Sequence, residues 1–205
     1  MKQYKQFCGA AYALDLLGER WTLLILRDLL VGPCRYKDLL EGLPGITTNL
    51  LAKRLRDLVA AGLVSKEDGG YALTPAGRRV EPVVLALAEF GSAYLDFPPA
   101  PDETVQTRNM VLNLKRRYRG GWIGSIALDF ESGTYLVLGT ESGLAIEASQ
   151  GAAEVRLAQV NGGLARWIMA SIPLQVLIDG RAVKVSGRRE TALAFDACLR
   201  RETPR

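Results

Sequence analysis

Asn49, Lys53 and Arg56 stand four and three residues apart, and between them they carry the groups that read base edges. On a helix those spacings return to one face. An Asn amide pairs with the edge of adenine, and Lys and Arg donate to the edge of guanine, so the trio points to readout in a DNA major groove. Thr47 and Thr48 immediately precede it. One of them is expected to cap the helix, and both hydroxyls are suited to phosphate beside a helix N-terminus, where unpaired N–H groups favour an anion. Arg35, Lys37 and Lys66 flank the stretch, each either a phosphate contact or a solvated surface charge.

Other chemistry is sparse. The 205 residues include no histidine, which removes the commonest general base and the commonest zinc ligand. Cys8, Cys34 and Cys198 are widely separated and show neither metal-ligand spacing nor a disulfide framework. No phosphate-cradling glycine motif or Gly-x-Ser-x-Gly elbow occurs. An enzyme is not expected, and no cofactor or metal is implied.

The trio needs a scaffold, and the surrounding pattern supplies one. Lys37 to Gly42 reads as a short amphipathic helix after a short Arg35-Tyr36 strand, and Leu43-Pro44-Gly45 as a turn. A longer helix follows, with Leu50, Leu51, Leu55 and Leu58 on the side opposite the polar trio. Two helices joined by a tight Gly-containing turn make a helix-turn-helix, whose second helix enters the major groove. The run VSKEDGGYALTPAG then reads as strand, Asp-Gly-Gly turn and strand, completing a winged helix. Arg54 falls inside the leucine stripe, so it is expected to be tied to a carboxylate such as Asp28, Asp38 or Glu41 rather than aimed at DNA.

Upstream, Ala10 to Leu17 reads as a helix ended by Gly18, and RWTLLILRDLLVGP as a buried hub helix stopped by Gly32-Pro33. Downstream, Thr74-Pro75 starts a helix bearing Val80, Val83, Val84, Leu87 and Ala88, continued by Phe90, Tyr94 and Leu95. That is more apolar surface than a small winged-helix core needs. A homodimer joined through this helix and the first one accounts for it, and a dimer suits a pseudo-palindromic operator in double-stranded DNA.

From Cys8 to about Gly91 the chain resembles the HxlR family of MarR-related bacterial transcription factors. The resemblance rests on the early Cys8, on ALDLLGERWTLLILRDLLVGPCRYKDL, on LPGITTNLLAKRLRDLVAAGLV and on YALTPAGR, in order and at family spacing. It implies a DNA-binding regulator. The wing, SKEDGGYA, is shorter than usual in the family and bears one lysine. The resemblance also implies Cys8 as a sensor of electrophiles or oxidants, against the alternative of a buried structural thiol.

The formal charge of +4 and pI near 9.0 are too even to decide the partner. Between Pro33 and Lys66, however, six basic residues stand against three acidic ones, so the basic excess coincides with the motif. No apolar run approaches the roughly 18 residues of a bilayer span, and the N-terminus lacks an apolar signal core. A cytoplasmic protein with no membrane partner is expected. The Pro-rich FPPAPDE divides the chain into a winged helix-turn-helix domain, 1–96, a linker, 97–103, and a second domain, 104–205.

The second domain alternates with period two between Gly and Ser turns. TRNMVLNLKRRYRGG reads as a helix; WIGSIALDF, GTYLVLGT, GLAIEAS and AEVRLAQV as a four-strand meander; GGLARWIMASIPLQVLIDG as two helical pieces; AVKVSG as a strand; and RRETALAFDACLRR as a closing helix. Arg116, Arg117 and Arg119 are read as solvated surface, or as contacts to an anionic effector or DNA. The order resembles the sterol-carrier-protein-like domain, through AEVRL before the apolar helix and GRAVKVSG leading into the last one. That resemblance implies an apolar tunnel, with Trp122, Trp167, Ile168, Leu174, Leu177 and Phe195 as lining, or else as plain core.

The expected fold is therefore α+β: a winged helix-turn-helix, then an α+β domain with a mostly antiparallel sheet and helices on one face. The expected function is a homodimeric, sequence-specific transcriptional regulator whose second domain takes an apolar small-molecule effector. Two alternatives stand beside it: a lipid-carrier or enzyme-like second domain with incidental DNA binding, and a second domain used only for dimerisation or partner binding.

Overall fold

The computed structural model describes residues 4–96 and 98–200. The chain separates into two compact units, residues 1–86 and 87–205.

The first unit is built from α1 (Gly9–Leu17), α2 (Thr22–Leu29), α3 (Tyr36–Gly42), α4 (Thr48–Ala60), the hairpin strands β1 (Val64–Glu67) and β2 (Gly70–Leu73), α5 (Pro75–Arg78) and the start of α6 (Glu81–Ser92). Ile25, Leu26 and Leu29 are fully buried, so α2 is the hub its composition implied. Cys34 exchanges two backbone hydrogen bonds with Tyr71, at 2.9 and 2.8 Å, where a strand at Arg35-Tyr36 was expected. Tyr36 instead begins α3, because the Asp38 carboxylate accepts the Arg35 N–H at 3.2 Å and closes the first turn.

In the hairpin, Val64 opposes Leu73 and Glu67 opposes Gly70. Gly70 has φ +138°, and a Cβ there would lie 2.2 Å from the Cys34 carbonyl oxygen, so only glycine fits. Thr74 accepts the Gly77 N–H at 3.0 Å ahead of Pro75 and caps α5, but that helix ends at Arg78, and the apolar stripe expected on it from Val83 onward lies on the separate helix α6.

The second unit follows with α7 (Thr107–Arg117), β3 (Gly124–Phe130), β4 (Gly133–Thr140), β5 (Gly143–Ala148), β6 (Val155–Gln159), α8 (Gly163–Met169), α9 (Leu174–Asp179), β7 (Val183–Gly187) and α10 (Arg189–Ala197). Phe97, the first residue of the expected linker, and Arg201, the last of the expected closing helix, lie outside the described residues. The sheet order is β5-β4-β3-β6-β7. This corrects the meander: β6 does not pair with β5 but lies parallel to β3, with Ile126 opposite Val155 and Leu128 opposite Leu157. The sheet is mixed, not mostly antiparallel.

The reason lies in burial. Ile126, Leu128, Val137, Val155 and Leu157 form one apolar face, each at most 1% exposed. β6 brings two fully buried side chains and so belongs inside the sheet, whereas β5, with only Ile146 buried, suits an edge. Leu114, Leu164, Trp167 and Phe195 from the helices complete that core. The opposite face carries Asp129, Glu147, Arg156 and Lys184, with Arg156 and Asp129 paired at 2.6 Å.

Two arginines read as solvated surface are not. Arg117 is 1% exposed; its Nη1 donates to the carbonyls of Trp167 and Ile168 at 3.0 and 2.9 Å, and its Nε to that of Arg200 at 2.8 Å. It thereby satisfies carbonyls at the C-terminal end of α8 that the helix leaves unpaired. Arg116 donates to Glu89 at 2.7 Å and to Asn113 at 3.0 Å. Arg119 alone of the three is exposed.

Candidate nucleic-acid interface

α4 begins where the Thr47 hydroxyl accepts the Leu50 N–H at 3.3 Å, so Thr47 is the cap and Thr48 the first helical residue. Leu51, Leu55 and Leu58 are buried and Leu50 is half-buried at the stripe's edge, which turns the other side outward. Asn49, Lys53 and Arg56 are exposed on that outward side, and Thr47 and Thr48 are exposed at the head of the helix. Among the described residues, no carboxylate forms an ion pair with Lys53 or Arg56. The face combines amide, ammonium and guanidinium donors with a helix N-terminus, an arrangement suited to base edges and phosphates.

Arg35 and Lys37 are exposed at the start of α3, and Lys66 is exposed on the wing. Lys37 lies 3.5 Å from Glu41, but both side chains are so exposed that the pair restrains the lysine weakly. Lys66 is followed by exposed Glu67 and Asp68, which offset its charge.

Arg54 is 8% exposed and tied to carboxylates, though not to those expected. It bonds Glu19 and Asp57 and donates through Nε to the Arg20 carbonyl at 3.3 Å. Asp28 instead pairs with Arg27 at 2.8 Å. Glu19 and Arg20 sit in the turn between α1 and α2, so Arg54 fastens the middle of α4 to that turn. Helical periodicity placed Arg54 inside; it carries no information about a partner thirty-five residues away.

The sequence places Tyr36 only in a short strand, with no role at the site. Its hydroxyl donates to the Thr48 carbonyl at 2.7 Å, tying the start of α3 to the start of α4. No local pattern signals such a bond, since a half-buried aromatic at the head of a helix reads as packing.

Cys8 stands at the N-cap position of α1, without a side-chain capping hydrogen bond, and is exposed, which excludes the buried structural thiol. Backbone N–H groups of Ala11 and Ala10 hold its thiol pKa below the ordinary value. In the second unit, Trp122, Trp167, Ile168, Leu174, Leu177 and Phe195 are all buried. The Phe195 ring lies 4.7 Å from Trp122 and 6.0 Å from Trp167. Asp196, unnoticed in the sequence, accepts the Trp167 indole N–H at 2.7 Å and the Leu174 N–H at 3.2 Å.

Residues 16–98 match the family model of the HxlR-like helix-turn-helix. Over 96 residues the chain is 35% identical to an HTH-type transcriptional regulator of Synechocystis sp., covering 43% of this chain and 71% of that protein. An HTH-type transcriptional regulator of Mycobacterium tuberculosis is 42% identical over 96 residues, covering 43% of this chain and 60% of that one. The HTH-type transcriptional regulator YybR of Bacillus subtilis is 31% identical over 99 residues, covering 45% and 79%. Among solved structures, quinone-bound YodB of Bacillus subtilis matches at 32% identity and a TM-score of 0.39, covering 41% of this chain and 96% of that one.

Proposed function

The chain belongs to the HxlR-like helix-turn-helix family, and from that premise we propose that it is a cytoplasmic, homodimeric transcriptional regulator that reads duplex DNA with α4. The observation that carries the reading is the exposed face of Asn49, Lys53 and Arg56 on a helix whose other face is locked into the core. In this reading those three meet base edges, while Thr47, Thr48, Arg35, Lys37 and Lys66 meet phosphate.

The dimer reading rests on apolar surface. Tyr12, Leu14 and Leu16 of α1 and Val83, Leu87 and Phe90 of α6 are exposed, although each is large and apolar. Large apolar side chains exposed on each of these helices support a reading of both as interface elements. Two copies would then present two α4 helices to half-sites about one helical turn apart, or a multiple of it. Footprinting on a duplex selected from a random-sequence pool tests this: protection across two half-sites is expected, and protection of one isolated half-site by a monomer contradicts it.

For the second unit we retain the sterol-carrier-like reading as a proposal, with an apolar effector held near Trp122 and Phe195. Such a ligand alters DNA affinity only by binding the DNA-competent and incompetent states unequally. A rival reading makes this domain an assembly surface, favoured by the close ring packing and the Trp167–Asp196 bond, which suit a filled core. Native mass spectrometry of protein isolated from its host separates them, since a retained apolar molecule supports the effector. Exposed Cys8 is the candidate for oxidant or electrophile sensing.

A further inference from the structure

Tyr36 opens α3 and Thr48 opens α4, and a single 2.7 Å hydrogen bond joins the two helix starts. Thr48 is the first residue of α4, directly before Asn49. Between the two helices the chain passes through Gly45, whose φ of +91° lets it reverse direction. At the same turn the Thr47 hydroxyl accepts the Leu50 N–H, a bond internal to the entry and body of α4. It shapes the turn without aiming it. The hydroxyl of Tyr36 links the first turn to a different helix and so helps to set its direction at Thr48, beside the buried leucines and the Arg54 anchor further along α4.

The bond is compatible with the helix it touches. A carbonyl oxygen has two lone pairs, so Thr48 can serve the N–H four residues ahead and the phenol together. It is also solvent-exposed, so its net contribution to stability is small. Nor does it leave the hydroxyl free for phosphate. The single phenolic proton is committed to Thr48, and a phosphate oxygen can only accept.

We infer that Tyr36 is a positioning residue for sequence readout: its hydroxyl fixes the first turn of α4 and thereby places Asn49 against its base edge. The inference rests on the proposed reading of α4 as the base-reading helix. It assigns Tyr36 to discrimination between sequences rather than to affinity for DNA in general, because a misdirected Asn49 loses a directional pair while the charges on α4 stay where they were.

The test uses the full chain with Tyr36→Phe, Asn49→Ala and the double variant. The probes are the duplex that the parent protein enriches from a random-sequence pool and a scrambled duplex of equal composition. Tyr36→Phe is expected to lower the ratio of the two affinities roughly two- to tenfold, the equivalent of one neutral hydrogen bond. Affinity for the scrambled duplex, the salt dependence and the melting temperature should match the parent. In the Asn49→Ala background the same change should have no further effect on the ratio, since both act through one contact. Equal losses on both duplexes, additive effects in the double variant, or a fall in melting temperature that accounts for the loss would each overturn the inference. A parent chain that enriches no duplex removes the DNA reading itself, an outcome distinct from a parent that discriminates and a Tyr36→Phe variant that discriminates equally well.

Discussion

The Arg54 guanidinium, buried on α4, is hydrogen-bonded to the Glu19 carboxylate thirty-five residues earlier, in the turn that joins α1 to α2. The pair is lopsided: the Arg54 side chain is 9% exposed and that of Glu19 47%. The arginine therefore depends on its partners, whereas the glutamate would be solvated without it. Arg54→Ala should destabilise the first unit by about 1–3 kcal/mol, through lost charge-assisted bonds and lost packing of the side-chain stem. Glu19→Gln should cost less, because the Arg20 carbonyl and Asp57 still serve Arg54. Urea denaturation compares the two directly, and Arg54→Ala unfolding at the parent's midpoint would refute the anchoring role.

That pair shows where sequence reasoning reached and where it stopped. Periodicity is a property of consecutive residues, so it placed Leu51, Leu55 and Leu58 inside and Lys53 and Arg56 outside, as found. It identified Arg54 as internal for the same reason. Partners such as Glu19 follow from how helices cross, which no single helix encodes. The same limit applies to the sheet. Gly and Ser turns marked the strands, but the choice of β3 over β5 as the neighbour of β6 depends on which strands are most buried. Arg117 looked like one charge in a basic run, and only the position of the α8 carbonyls turns it inward.

Lys53→Ala and Arg56→Ala should leave the melting temperature unchanged, because both side chains are exposed. Each should weaken binding to the selected duplex by about 1–3 kcal/mol if it reads a base, and relax preference at one position. A side chain that instead meets phosphate would weaken all sequences alike and reduce the slope of affinity against salt by about one. Fluorescence anisotropy across a salt series separates the two roles residue by residue.

Leu87→Glu and Phe90→Glu place charge on exposed apolar positions of α6, at 49% and 70% exposure in the single chain. A folded monomer tolerates such changes, since neither side chain is buried. A dimer that covers them does not, because a carboxylate would be desolvated without a partner. Sedimentation should show the parent as a dimer and the variants as monomers of unchanged circular dichroism. Variants that remain dimeric would move the interface away from α6.

Glu89 accepts hydrogen bonds from Arg116 and then Arg200, which together hold its carboxyl below the ordinary glutamate value of 4.5. A carboxylate with a depressed folded pKa contributes stability above its unfolded value, and that contribution is lost as pH falls through the lower folded one. The second unit should therefore weaken on acidification below 4.5, and Glu89→Gln should flatten that part of the profile while slightly lowering stability at neutral pH. The Glu89 side chain is 47% exposed, so the effect should be modest and shrink in high salt. Thermal melts from neutral to acidic pH, with and without salt, provide the comparison.

Cys8 is exposed at the head of α1, and the N–H groups of Ala11 and then Ala10 favour its thiolate. A lowered thiol pKa keeps the reactive thiolate populated to lower pH, so alkylation at Cys8 should rise with pH and reach half its limiting rate earlier than at an ordinary thiol. Cys34 is 3% exposed and should be protected in the folded chain. Mass-spectrometric mapping of iodoacetamide labelling over a pH series resolves all three cysteines in one experiment. Ala10→Pro removes one of the two N–H donors at a first-turn position where proline is tolerated, so it should move the Cys8 midpoint upward without melting the helix. A midpoint unchanged by that substitution would mean that the Ala10 donor does not set the thiol's acidity. A Cys8 that labels no faster than Cys34 would remove it as a sensor candidate.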